Sequence, residues 1–286
     1  MNCKKRTECT IGKMYDVDGH KMCVYTEGTG NKTVIFMSGA GVCSPILDFK
    51  SLYSLLSGTY RIAVIEKFGY GFSDVVEGER PVELILEQSR KALFAAGIHP
   101  PYVLCPHSMS GIEAMYWAQT YPEEVSCIIG LDMALPEHYR AMKKTRMSAI
   151  KFLKFAADHG ATRILPGEIG RWAVKRGTLT EKEKQLYMEL FHEKTYNTTV
   201  INEGVGIFKS AETVAAGRKI EVPMLLFVSN GNGGTGFKTE KWRAPYRKLI
   251  KNNQNGCIVE LDCPHMMQDY EYTVISREIL SYLSKG

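Results

Sequence analysis

Short β-branched or apolar runs alternate along the chain with longer stretches whose apolar residues recur at helical spacing. This pattern predicts a mainly parallel sheet covered by helices. The runs "KMCVYTEG" (21–28) and "KTVIFMSG" (32–39) come first with little between them and predict neighbouring strands. "RIAVIEKFG" (61–69) is the next strand, and "PVELILEQSRKALFAAG" (81–97) carries helical spacing at Val82, Leu84, Ile85, Leu86, Leu93 and Phe94 before Gly97 ends it. The strand "YVLCP" (102–106), a helix over 111–121 and the strand "VSCIIGL" (125–131) follow. From about 134 to 218 the spacing is helical throughout, and Thr180 with Glu183 forms a capping box. "VPMLLFVSN" (222–230), a helix over 242–251, "CIVELD" (257–262) and a last helix over 267–283 restore the alternation.

This order predicts one α/β domain, residues 11–133 and 219–286, interrupted by a helical insertion over 134–218 and preceded by a short extension, residues 1–10. No internal repeat or low-complexity tract breaks it. Composition changes the picture little. A net charge of +5, with no zinc-finger spacing and no aromatic RNA-binding motif, gives no reason to expect nucleic acid as a partner. The eight cysteines sit mostly inside or beside apolar runs, and no pair has CxxC spacing. They read as reduced, buried thiols of a cytoplasmic protein, not as a zinc or redox motif. "MNCKKRTECT" lacks the apolar stretch of a signal peptide or membrane span, which makes the sequon at Asn197 incidental.

An open parallel sheet places ligands at the carboxyl ends of its strands. The residues there are 38–41, Glu66, Ser108, Asp132, 229–236 and His265. Ser108 stands on a knot of small residues, "PHSMSG" (106–111), between a strand and a helix. A nucleophile on such a turn needs compact neighbours two residues to either side, the pattern G-x-S-x-G. Ser110 meets that need, whereas Pro106 departs from glycine and removes an N–H from the strand end. The alternative is that Ser108 only caps the helix. Serine attack also needs a base. Of seven histidines, His265 follows the last strand and precedes the last helix, where a loop can return it over the sheet. His107 reads as a packing residue beside the serine. His20, His99, His138, His159 and His192 fall in turns or helices and read as structural or surface residues.

Taken together, "VIFMSGAG", "IEKFGYGFSD", "VLCPHSMSGIEAMYWAQTYP" and "LDCPHMMQDYEYTVISREILSYL", in that order, resemble the α/β-hydrolase superfamily. The insertion is similar to that family's cap. The resemblance implies Ser108 as nucleophile, His265 as base, and an oxyanion hole made by the backbone N–H groups of Ala40 and Met109. Ser38 stands where the family's loop carries a histidine. Glu66 matches a structural acid of the family. Most such hydrolases carry the catalytic acid after the seventh strand, but "SNGNGGTG" (229–236) has none; Asn230 or Asn232 stands there. Some members carry the acid after the sixth strand, where this chain has Asp132. Glu240, a water-mediated partner or no acid at all are the alternatives.

Two motifs mimic other functions. "GNGGTG" (231–236) fits a dinucleotide fingerprint but lies late in the chain, and reads instead as a flexible rim of the serine site. The basic run from Arg140 to Lys154 could rest on an anionic membrane, yet reads by default as a solvated helix face. The expected function is therefore a serine hydrolase without metal or cofactor, acting on a small or medium apolar ester. Met142, Met147, Phe152, Phe155, Trp172, Tyr187, Met188 and Phe191 supply the cap's apolar residues. Two alternatives stand beside it. An amide or aminopeptidase-like hydrolase would need cap acids such as Glu168, Glu181 or Glu189 to hold an amine. A ligand-binding protein that has lost turnover is favoured by Pro106 and the acid-free loop.

Overall fold

The computed structural model describes residues 7–40, 42–142, 172–194, 196–251, 253 and 255–285. The chain enters its sheet through a hairpin that the long apolar runs do not announce. β1 (Lys13–Val17) and β2 (His20–Glu27) pair antiparallel across Asp18-Gly19. Both turn residues have positive φ, 54° and 80°, the conformation a two-residue hairpin loop needs. In β1 only Val17 is buried and the rest are exposed or half-buried, so it lacks the apolar run that marks the interior strands.

Those interior strands are β3 (Thr33–Met37), β4 (Arg61–Glu66), β5 (Tyr102–Pro106), β6 (Val125–Leu131) and β7 (Met224–Val228); β8 (Gly256–Glu260) closes the far edge. The order is β1-β2-β4-β3-β5-β6-β7-β8, parallel from β4 onward. β3, β5 and β7 are buried along their whole length, which is why they read as continuous apolar runs.

Alternate residues of these strands feed two cores. On one face Ile35, Leu104 and Leu226 meet α3 (Val82–Ala95), α4 (Ser110–Thr120) and α9 (Thr239–Lys251). On the other, Phe36, Cys105 and Phe227 meet α1 (Pro45–Asp48), α2 (Lys50–Tyr53) and α11 (Tyr272–Leu283). The expected last helix is two pieces, α10 (Met267–Tyr270) and α11, separated at Glu271.

Between β6 and β7 the described residues are all helical or connecting: α5 (Pro136–Ala141), α6 (Trp172–Arg176), α7 (Glu181–Lys194) and α8 (Thr198–Ala216). The Thr180 N–H donates to Glu183 Oε2 at 2.8 Å and the Glu183 N–H returns to Thr180 Oγ1 at 3.4 Å, so the capping box forms as expected. α8 is sewn to the loop after β4. Asn197 Nδ2 donates to the Gly69 carbonyl, Thr199 Oγ1 to the Val76 carbonyl, and Ser210 Oγ accepts from Val82 N.

Beneath that seam Lys67 is buried between Glu113 of α4, 2.5 Å away, and Glu203 of α8. One ammonium thus serves two carboxylates, and burial pushes Glu113 up to about 7 against the pull of Lys67. Lys67→Met should destabilise the fold by about 3–5 kcal/mol at pH 8, the usual cost of stranding a buried charge. A carboxyl whose folded pKa lies above its unfolded value stabilises below the unfolded value and loses that contribution as pH rises through the folded one. The gap in melting temperature between variant and parent should therefore narrow from pH 8 to pH 5. Thermal denaturation at both pH values checks this; an unchanged gap contradicts it.

Candidate active site

Ser108 has φ +55°, and the helix that follows starts only at Ser110. No side chain caps α4; the Ser108 hydroxyl points instead to His265, with Oγ 2.8 Å from Nε2. A non-glycine residue in this left-handed region is strained, and neighbouring bonds hold it there. The Ser108 carbonyl accepts from Ala134 N at 2.6 Å and Gly111 N at 3.0 Å.

One of the two departures from G-x-S-x-G, Ser110, has a local solution. Ser110 Oγ donates toward the Met37 carbonyl at 2.7 Å and accepts from His107 N at 3.0 Å, so the extra hydroxyl is satisfied in place. The Met37 carbonyl, opposite Pro106, takes its backbone bond from His107 N at 2.9 Å.

His265 enters from the loop after β8. Its N–H is held by the Asn232 carbonyl at 2.8 Å, and its ring faces Asp132, with Nδ1 2.5 Å from Oδ2. Asp132 is fully buried and sits one residue past β6 at φ +46°. Burial alone would raise its pKa, but hydrogen bonds and charge from His265, with two bonds from Ser229, hold it below the usual carboxylate range. An ionised carboxylate can only accept, which fixes the proton on Nδ1 and leaves Nε2 free to accept from Ser108. The structure thus brings together Ser108, His265 and Asp132, residues from three strand ends, with Ser108 partly accessible.

Ala40 and Met109 flank the same serine. A side chain on Gly39 would put its Cβ 2.5 Å from Ser108 Cβ and 3.0 Å from Met109 N, so only glycine lets this loop lie against the turn. Among the described residues neither the Ala40 nor the Met109 N–H has a backbone acceptor. Backbone N–H groups left without a backbone acceptor beside a serine hydroxyl can stabilise a developing oxyanion.

His107 is buried, with Nε2 3.1 Å from the His265 carbonyl and its ring 4.8 Å from the His265 ring. The carbonyl accepts, so Nε2 carries the proton. Burial, with His265 beside it, presses the His107 pKa down to about 3 and keeps it a neutral packing partner. Glu66 accepts from Phe72 N at 2.7 Å and Ser44 Oγ at 2.9 Å, and burial pushes it up to about 7. It ties its own loop together and does not touch the serine site.

Around the acid the structure uses Ser229, which the sequence places at a strand end without a role, and Trp242, which it does not announce. Ser229 and Trp242 both donate to Asp132. Asn230 instead bonds Asp262, and Glu240 pairs with Arg247 on the surface. The glycine-rich loop is not a loose rim: Asn232 holds His265, and a Cβ on Gly234 would lie 2.9 Å from the His265 ring. Among the described residues no cluster of three or more His, Cys, Asp or Glu could hold a metal.

The described apolar residues of the helical insertion are engaged in packing. Tyr187 and Phe191 belong to the core beside α1, Met188 packs against that core, Trp172 meets Tyr270 at 5.9 Å, and Met142 packs on the other core. Met147, Phe152 and Phe155 lie outside the described residues, as do most of the basic run and Glu168. No helix among the described residues is long and apolar enough to cross a membrane.

No family model matches the chain. It is 34% identical over 280 residues to the uncharacterized protein YbdG of Bacillus subtilis (strain 168), covering 96% of this chain and 86% of that one. Its fold superposes on the epoxide hydrolase of Bacillus megaterium with a TM-score of 0.73 at 17% identity, covering 95% of this chain and all of that one. The chain has the α/β-hydrolase fold of such structures. By sequence it belongs to one family with YbdG. A second α/β-hydrolase neighbour is the enol-lactonase of Burkholderia xenovorans LB400, with a TM-score of 0.67 at 16% identity, covering 95% of this chain and 100% of that one. These solved neighbours are named as hydrolases of different bonds, so the α/β-hydrolase fold they share fixes architecture and leaves the reaction to the site.

Proposed function

We propose that the protein is a serine hydrolase that transfers the acyl group of a carboxylic ester to Ser108 and then to water. The observation that supports this is the continuous hydrogen-bonded path from Ser108 Oγ through His265 to the ionised Asp132, on a turn strained to φ +55°. His265 Nε2 takes the hydroxyl proton as Oγ attacks the ester carbon. The N–H groups of Ala40 and Met109 face the oxyanion that forms; losing one such donor typically costs about 10²–10³ in rate. Collapse expels the alcohol, which takes the proton back from Nε2. Water then repeats the sequence and releases the acid, so the cycle consumes only substrate and water.

An ester is favoured over an amide because the two described carboxylates named for amine recognition are turned to the surface. Glu181 is exposed and paired with Lys184, and Glu189 is exposed on α7. One structural neighbour is named a lactonase, and a lactone is an ester. Against the ligand-binding alternative, Asp132 stands at His265 in place of an acid after β7. A reducing, cytoplasmic setting fits the free thiols of Cys23, Cys43, Cys105, Cys127, Cys257 and Cys263.

A fluorophosphonate probe together with p-nitrophenyl esters of graded chain length tests the proposal. Labelling of the parent and turnover of short or medium acyl chains are expected. A folded parent that neither labels nor turns over any of these esters removes it.

A further inference from the structure

We propose that Trp242 and Ser229 are positioning residues that hold the Asp132 carboxylate in one orientation and weaken its basicity toward His265. This rests on the reading of Ser108, His265 and Asp132 given above.

Four donors surround the carboxylate. Oδ1 accepts from Ser229 N at 2.7 Å and Trp242 Nε1 at 2.8 Å; Oδ2 accepts from Ser229 Oγ at 2.6 Å and faces His265 Nδ1 at 2.5 Å. Rotation of the carboxylate would break both bonds at Oδ1, so only Oδ2 is presented to the imidazole. The Ser229 hydroxyl has a fixed direction. It accepts from Gly231 N at 2.9 Å, which aims its own proton at Asp132. The loop that lacks an acid thus supplies donors to an acid on the neighbouring strand.

Trp242 is itself clamped. Its ring stacks on His138 at 4.0 Å and stands edge-on to His265 at 5.7 Å. His138 accepts from Leu135 N and bonds the Trp242 carbonyl, so the stack is locked at both ends. A Cβ on Gly231 would lie 3.2 Å from Trp242 Cβ, so the glycine-rich loop fits closely against the indole. Neither residue needs to touch a substrate to act.

Removing one donor leaves a buried carboxylate less neutralised and therefore a stronger partner for the imidazolium. Trp242→Phe keeps an aromatic ring against His138 and deletes the N–H; Ser229→Ala deletes the hydroxyl. In both, the acid limb of the kcat/KM profile should move upward by about half a unit or more. kcat should fall about tenfold with little change in KM. The other titratable groups around the pair are His107 from the serine turn, His138 from α5, Cys263 from the loop after β8 and Tyr246 from α9. Burial holds His107 near 3 and His138 below its usual range, and pushes Cys263 to about 12 and Tyr246 well above its ordinary value. They stay neutral near pH 7, so a moved limb belongs to His265.

Fluorophosphonate titration of the parent tests the catalytic reading by itself. NMR titration of ¹⁵N-histidine protein reads His265 directly in parent and variants, whether or not the protein turns over. An upward displacement of the His265 midpoint in each variant that folds supports the inference. A midpoint at or below the parent's overturns it, whatever happens to activity. Ser229→Ala, the smaller change, decides if Trp242→Phe does not fold.

Discussion

Ser108→Ala should abolish ester turnover, with kcat falling by about 10⁶ as in serine hydrolases that lose their nucleophile, and should remove fluorophosphonate labelling. Among the described residues nothing nearby can replace the hydroxyl. Ser110 Oγ is held between the Met37 carbonyl and the His107 backbone, and Ser38 is fully buried. His107 cannot take over from His265, because its Nε2 proton is committed to the His265 carbonyl. Alanine keeps the β-carbon that Gly39 packs against, so the melting temperature should stay close to the parent's. Initial rates on p-nitrophenyl butyrate, with a melting curve for each protein, measure both. A loss below about 100-fold in folded protein would be too small for a nucleophile.

Asp132→Asn should lower kcat/KM by about 10⁴, the scale seen when a triad acid becomes an amide. Four donors point at this side chain, and an amide oxygen can satisfy only one side of it. If the new NH₂ faces His265, the imidazole must move its proton to Nε2. It then donates toward Ser108 and no longer accepts from it. The same substitution should alter stability against pH. Because the folded pKa of Asp132 lies below its ordinary value near 4, the carboxylate stabilises above that value. The contribution is lost as pH falls through the folded pKa. Melting curves between pH 7 and pH 3 should show this acid loss in the parent and less of it in the variant. Activity within tenfold of the parent at pH 8 would move the acid's role to another group.

The order of strands and helices is legible in the sequence because the interior strands are buried on both faces and so spell continuous apolar runs. The short helices α1 and α2 between β3 and β4 escape that reading, and so does β1. It lies at the sheet's edge with a half-exposed pattern, and its one sharp signal is the Asp18-Gly19 turn. The candidate site is legible where chemistry needs a particular side chain at a strand end, as at Ser108, Asp132 and His265. The donors around Asp132 are another matter. A backbone N–H and a hydroxyl from 229, and an indole 110 residues away from the acid, form no spacing motif. Asn232 shows the same limit: its position draws notice, but the carbonyl that holds His265 belongs to no residue type. Lys67 gives no hint that it will meet carboxylates from two distant helices, because that meeting depends on how α4 and α8 cross.

The seam along α8 constrains how the insertion can move. Swinging that helix outward as a rigid flap would tear the bonds of Asn197, Thr199 and Ser210 together with the contact between Glu203 and Lys67. Such a rupture is all-or-nothing and strands an ammonium with a single counterion. α8 is thereby anchored as a fixed wall of the insertion.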